Sequence, residues 1–100
     1  AQDDLQAKEC FKNGEFEKAQ LLYKKLYDNN PNNNNNLLQL VKTYQQLEQL
    51  DIAQELLELQ LTRINYPVLY IELGYNYQLK NDLTNATTNS NKAILRTSFD

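Results

Sequence analysis

The chain has 100 residues, of which 41% are hydrophobic and 23% charged, and its formal net charge is −3. This length suits one domain, and a content of only two glycines and two prolines argues against a β-sandwich with its many tight turns. The acidic balance argues against nucleic-acid binding, which needs clustered basic side chains, and no apolar run approaches the length of a membrane span.

The first two helices are predicted on either side of Gly14. This glycine follows AKECFKN and is typical of the residue that ends a helix. The second helix is predicted within GEFEKAQLLYKKL. Asparagine then fills seven of the eight positions from Asn29 to Asn36. We expect an ordered turn there, with Asn36 as the N-cap of the third helix.

The third to sixth helices are predicted from apolar residues at helical spacing. Asp51, followed three residues later by Gln54, predicts the start of the fourth helix by a capping box. The sixth helix, in LTNATTNSNKAIL, has few apolar residues and is rich in Thr and Asn. We expect six helices of roughly 12–14 residues each. The apolar stripes comprise Leu37, Leu40, Val41, Tyr44 and Leu47, then Ile52, Ala53, Leu56, Leu57 and Ile64, and then Tyr70, Leu73, Gly74 and Tyr77.

One residue pattern recurs along the chain at a fixed spacing. Ala19, Ala53 and Ala86 are separated by 34 and 33 residues. A helix–turn–helix period of this length, with small residues where paired helices cross, is typical of a solenoid repeat. Three further sets follow the same spacing, namely Ala7, Val41 and Gly74; Cys10, Tyr44 and Tyr77; and Tyr23, Leu57 and Ser90.

Through these residues, and best in GEFEKAQLLYKKLYDNNP and YIELGYNYQLKND, the sequence resembles the tetratricopeptide repeat. It departs from that family's pattern in having no tryptophan, in Val41 at a Gly or Ala position, and in Asn65 at a closing-proline position. The resemblance implies an all-α fold, a right-handed α–α superhelix of three antiparallel helical hairpins. We expect one domain over residues 1–100, with repeats at about 1–33, 34–66 and 67–100, cut from a longer repeat protein.

In the family that the chain resembles, the first helix of each hairpin lines a concave groove. Apolar and amide side chains at these positions suit a peptide, because apolar anchors supply affinity and amides pair with a backbone. The alternative is that such residues are scattered surface positions, and that Lys8 and Lys12 are only a solvated face. By alignment, the predicted partner-binding residues are Lys8, Phe11, Lys12, Leu38, Lys42, Gln45, Ile71, Tyr75 and Gln78.

The resemblance predicts a non-catalytic scaffold that binds a peptide or a partner helix in that groove. One alternative is a structural or oligomerising segment of a larger protein, including homo-oligomerisation through an open C-terminal end. The start at Ala1-Gln2 inclines this alternative towards a secreted or periplasmic protein. A carbohydrate-binding helical-repeat protein is the third interpretation, because the chain has seven tyrosines, although Tyr23, Tyr44 and Tyr77 are predicted to lie in the core.

Enzymatic chemistry has little support in the sequence. Histidine is absent, Cys10 is the only cysteine, and no glycine-rich phosphate loop is present. The carboxylates lie on predicted solvent faces, where charge usually serves solubility. We therefore predict no catalytic residue, no metal ligand and no cofactor, and a protein or peptide as the partner.

Overall fold

The computed structural model describes the backbone of residues 2–98 and the side chains of residues 3–96. Over the described range the chain forms six α-helices and no strand, so the predicted all-α class is confirmed. None of the described helices is long and apolar enough to cross a membrane. The helices are α1 (Gln2–Lys12), α2 (Phe16–Asn29), α3 (Asn34–Gln46), α4 (Leu50–Leu61), α5 (Val68–Leu79) and α6 (Leu83–Ser98).

The chain divides into two compact units, Ala1–Gln49 and Leu50–Asp100. In the first unit α1 packs against α2, and α2 packs against α3. In the second, α4 packs against α5, and α5 packs against α6. Inside each unit, helices that are adjacent in sequence are therefore neighbours in space, as a helical repeat requires. The superhelix and the single array over residues 1–100 stay predictions.

Small and apolar residues that recur at the repeat spacing form part of the core. Ala7 and Ala19 are fully buried in the first unit, as is Ala53 in the second, and Tyr23 is only 2% exposed. Because alanine has no side chain beyond Cβ, two helices that meet at such residues approach closely. The periodicity thus identified the buried face of most helices correctly.

The ends of α1, α3 and α5 share one backbone geometry. Gly14, Glu48 and Asn81 all have positive φ angles, of 80°, 60° and 64°. In each case the next residue donates its backbone N–H to a carbonyl five residues earlier: Glu15 to Cys10 at 2.8 Å, Gln49 to Tyr44 at 2.9 Å, and Asp82 to Tyr77 at 2.8 Å. This is the Schellman motif, which satisfies carbonyls at a helix end. The motif recurs at the 34- and 33-residue spacing of the alanines.

The asparagine-rich segment is an ordered turn inside the first unit, as predicted, but its cap is a different residue. The side chain of Asn33, not Asn36, accepts the backbone N–H of Asn36 at 3.1 Å, so α3 starts at Asn34. Asn36 is instead 6% exposed and donates its amide to the carbonyl of Leu26 at 3.3 Å. Five consecutive asparagines are equivalent as sequence signals, and tertiary contact selects among them.

The predicted cap of α4 is also corrected. The helix begins at Leu50, and Asp51 therefore lies within its first turn. The Asp51 carboxylate accepts a hydrogen bond from the Lys80 ammonium at 2.7 Å. A carboxylate in the first turn is favourable for the helix dipole without being the cap. Here the side chain ties α4 to the end of α5.

Candidate binding groove

The predicted partner-binding residues differ widely in exposure. Gln45 is only 7% exposed, contrary to the groove-lining position predicted for it. Phe11 and Leu38 are half-buried. The remaining six are exposed and so accessible to a partner: Lys8, Lys12, Lys42, Ile71, Tyr75 and Gln78.

In the first unit, Phe11 has a local structural role. Its ring meets that of Phe16 edge to face, with centroids 5.1 Å apart and planes inclined by 75°. Such pairs contribute about 0.5–1.5 kcal/mol beyond the area that they bury. This contact joins the end of α1 to the start of α2, across the turn at Gly14. Phe11 is therefore engaged in the hairpin of the first unit.

In the second unit, three predicted residues line one groove. Ile71, Tyr75 and Gln78 lie along one side of α5, at the spacings that place side chains on one helical face. Ile71 is 51% exposed and Tyr75 is 47% exposed. We call this feature, with its opposite wall on α6, the α5–α6 groove. It has a volume of about 460 Å³.

The opposite wall of the groove comes from α6, which the sequence interpretation did not include. Leu83, Thr87 and Ser90 line it, and Leu83 is 61% exposed. The Thr87 hydroxyl donates a hydrogen bond to the carbonyl of Leu83 at 2.9 Å, so the helix itself satisfies this donor. The sequence placed Leu83 in the apolar set of the sixth helix, with Ala86, Ala93, Ile94 and Leu95, and the structure corrects this, because Leu83 is exposed and lines the groove.

The floor of the groove lies where α5 crosses α6 at Gly74. A Cβ atom placed on Gly74 would be 3.2 Å from the carbonyl oxygen of Ala86 and 3.2 Å from the Ser90 hydroxyl. Glycine therefore permits an approach that any larger residue would widen. This confirms that Gly74 and Ala86 meet at the crossing of their helices.

Ser90 explains why there is open space above this crossing. In the repeat register it corresponds to Tyr23 and Leu57, which are 2% and 0% exposed. The third position of this register thus has a small, exposed hydroxyl where the first two have large buried side chains. Ser90 and Gly74, both small, line the groove.

The groove is uncharged. None of the residues that line it is acidic or basic. Its surface combines aliphatic and aromatic side chains with the Gln78 amide and the hydroxyls of Tyr75, Thr87 and Ser90. A charged group placed there would lose hydration without gaining an ionic partner. The groove therefore suits an apolar side chain flanked by groups that exchange hydrogen bonds.

Two charged residues lie in the turn that follows α5, Lys80 and Asp82. The pKa of Lys80 is raised, and the largest cause is its hydrogen bond to the Asp51 carboxylate. Beside it, Asp82 caps α6 by accepting the backbone N–H of Asn85 at 3.2 Å and its amide at 2.8 Å. These hydrogen bonds, chiefly the one from the Asn85 side chain, lower the pKa of Asp82. Both groups are ordered by neighbours and do not line the groove.

Metal chemistry has no defined site in the part of the chain that the structure describes. No group of three or more His, Cys, Asp or Glu side chains there is arranged to hold an ion. Cys10 is half-buried at the end of α1.

Comparison of the chain with protein-family models, curated proteins and solved structures finds no match.

Proposed function

We propose that the chain is a non-catalytic protein-interaction module that holds an apolar side chain of a partner peptide or helix in the α5–α6 groove. The observation that supports this most is the convergence of Ile71, Tyr75 and Gln78 with a wall from α6. The predicted tetratricopeptide-repeat architecture agrees with such a role and remains part of the proposal.

The energetics favour an apolar anchor. Ile71, Tyr75 and Leu83 are each about half exposed, so an occupant would remove a substantial apolar area from water. Burying one large apolar side chain contributes about 1.5–3 kcal/mol. The Gln78 amide offers both a donor and an acceptor, which suits the backbone of a bound segment. Affinity would come from the anchor, and orientation from the amide.

The register provides a second argument for a helix or peptide as the occupant. At the position of Ser90, the other two repeats fill the space with their own Tyr23 and Leu57. A partner that inserts a comparable side chain above Ser90 would restore the packing found in those repeats. We therefore expect the anchor to be a leucine, tyrosine or similar residue.

The groove is tested by selecting binders and then closing it. Peptides of 16 residues, displayed on phage, are selected against the chain, and their affinities are measured by fluorescence anisotropy. Ser90→Tyr should fill the groove and weaken the selected peptides by about tenfold or more, which corresponds to about 1.4 kcal/mol. Ile71→Glu with Tyr75→Glu should weaken them at least as much, because it removes the apolar wall.

Two matched variants control for general effects. Thr88→Tyr adds the same ring to an exposed position of α6, and Leu21→Glu adds a charge at a residue that is 68% exposed on α2. Both should leave affinity unchanged. If the selected peptides bound the Ser90→Tyr variant as tightly as the unaltered chain, the groove would not be the binding surface.

In the oligomerising alternative, a second copy of the chain occupies the same groove, and measurement of self-association distinguishes this from binding of a different partner. Sedimentation velocity over a range of concentrations would reveal a second copy of the chain as the occupant, and Ser90→Tyr would then abolish self-association. The carbohydrate-binding alternative is weakened, because Tyr23 and Tyr44 are buried and cannot stack on a sugar.

A further inference from the structure

A second pocket in the unit formed by α4–α6 gathers basic residues that sequence reasoning did not single out. It is lined by the turn after α4 together with Tyr70 of α5 and Arg96 of α6, and its volume is about 290 Å³. Arg63 and Arg96, the two arginines of the chain, both line it. We call it the arginine pocket, defined by Leu61, Arg63, Ile64, Asn65, Tyr70 and Arg96.

Two cations lie over the ring of Tyr70, which lines this pocket. The Arg96 guanidinium carbon lies 5.1 Å from the ring centroid, and the Lys92 ammonium lies 5.8 Å from it. The Asn65 side-chain oxygen accepts a hydrogen bond from Arg96 at 3.4 Å. These contacts hold the guanidinium in place before any ligand arrives, and such ordering reduces the entropy lost on binding.

No carboxylate among the described side chains neutralises the charges of this cluster. Within the side chains described, Arg63, Lys92 and Arg96 form no ion pair, although Lys18, Lys24, Lys25 and Lys80 each have a carboxylate partner within 3.2 Å. Three unneutralised cations beside one pocket create a local positive potential on a chain whose net charge is −3. Their mutual repulsion falls when an anion binds between them.

The identity of the cations indicates the geometry of the ligand. Guanidinium groups donate two parallel hydrogen bonds to a carboxylate, which an ammonium does not. Leu61, Ile64 and Tyr70 give the pocket apolar contacts beside these donors. A polyanion such as nucleic acid would be repelled by the acidic remainder of the chain. A short segment with carboxylates around an apolar residue matches both features.

We propose that the arginine pocket is a docking site for an acidic peptide segment, whose carboxylates pair with Arg63 and Arg96 while an adjacent apolar side chain packs on Tyr70. This site is separate from the α5–α6 groove, whose residues it does not share. It adds a charged contact to a chain whose proposed groove is uncharged.

The test uses two labelled peptides that differ only in charge. Fluorescein-labelled Glu-Glu-Leu-Glu-Glu is titrated with the chain at low ionic strength and followed by fluorescence anisotropy, and Gln-Gln-Leu-Gln-Gln is the control. The glutamate peptide should bind, and its affinity should fall as salt is added, because exposed charges are screened. The glutamine peptide should bind at least about tenfold more weakly.

Paired variants locate the contact. Arg63→Gln with Arg96→Gln should reduce the affinity by about tenfold or more, whereas Lys18→Gln with Lys24→Gln removes the same charge from α2 and should change it by less than about twofold. Arg63→Lys with Arg96→Lys should lose an intermediate amount, because charge remains while the paired hydrogen bonds are lost. Ser90→Tyr should have no effect, which separates this site from the proposed groove.

A second measurement needs no substitution. When the glutamate peptide is added to the unaltered chain, the NMR signals of the Arg63 and Arg96 side-chain N–H groups and of the Tyr70 ring should shift together. The proposal would be overturned if both peptides bound equally, or if the shifts were confined to other residues. It would also be overturned if replacing the two arginines by glutamine reduced the affinity no more than replacing Lys18 and Lys24 by glutamine.

Discussion

Three residues with positive φ lie where α1, α3 and α5 end, namely Gly14, Glu48 and Asn81. Gly14 is predictable from the sequence as a helix end with positive φ, because glycine adopts this conformation without steric cost. Asn81 is compatible with it, since asparagine tolerates the left-handed region. Glu48, at φ 60°, carries no such signal. Its conformation is imposed by the hydrogen bond from Gln49 to Tyr44, and it became recognisable only from its place in the repeat.

Replacing Glu48 by glycine should therefore stabilise the chain. An L-residue in the left-handed region is strained, and removing the side chain relieves more than the flexibility of glycine costs in the unfolded state. We expect a net gain of about 0.5–1 kcal/mol, measured by urea unfolding. Glu48→Ala removes the same charge but keeps the strain, so it should gain little. Equal stabilisation by both variants would assign the effect to charge instead.

The start of α3 shows how a helix boundary is chosen when the sequence offers several equivalent caps. Periodicity correctly predicted the helix and its buried face. It misplaced the cap by three residues, because each asparagine from 32 to 36 is a good N-cap. The burial of Asn36 and its hydrogen bond to Leu26 fix the position, and Asn33 then lies at the cap. Tertiary contact of this kind leaves no mark on local composition.

Substitution within the run should therefore have unequal effects. Asn33→Ala removes the side chain that accepts the Asn36 backbone N–H, and it should destabilise the chain by about 1 kcal/mol. Asn32→Ala, in the adjacent turn residue, is the matched control and should be nearly neutral. Thermal unfolding followed by circular dichroism measures both. Equal melting temperatures for these two variants would place the cap elsewhere.

At the scale of the whole molecule, the sequence predicted more of the architecture than of the site. Six helices and the buried faces of most of them follow from spacing, which reflects how helices pack, although Ile52 of the predicted α4 stripe is 46% exposed. The groove also needed Ser90 and Leu83, which lie in a helix that the resemblance did not mark for binding. The arginine pocket joins residues 63, 70 and 96, and such a juxtaposition depends on tertiary packing rather than on a local pattern.

The stability of the chain should be level over the middle of the pH range and fall at both ends. Burial first, and the charge of Asp4 second, raise the pKa of Tyr23 above its usual 10.0, so stability is present below that pH and is lost as pH rises further. The raised pKa of Lys80 acts in the same direction above 10.5. The lowered pKa of Asp82 acts oppositely: its contribution is present above pH 3.8 and disappears as pH falls through the folded-state value.

Melting temperatures across this range test the alkaline limb. Tyr23→Phe keeps the buried ring and removes the group that ionises, so its melting temperature should fall less steeply above pH 10 than that of the parent chain. Tyr77, whose pKa burial also raises, supplies an independent variant in the second unit. A Phe variant with the parent's alkaline slope would show that Tyr23 does not contribute.

The uniformity of the asparagine run has a consequence for how this chain tolerates changes in length. The cap and the residue bonded to Leu26 are both asparagines, counted back from Leu37, and the residue before the cap, Asn32, is an asparagine too. Adding or removing one asparagine therefore supplies the same side chain to both positions again, and the turn alone grows or shrinks. A tract of identical residues thus tolerates a change of one residue in its length. The cap and the register of α3 are kept, whereas in a more varied sequence the same change would place a different side chain at the cap.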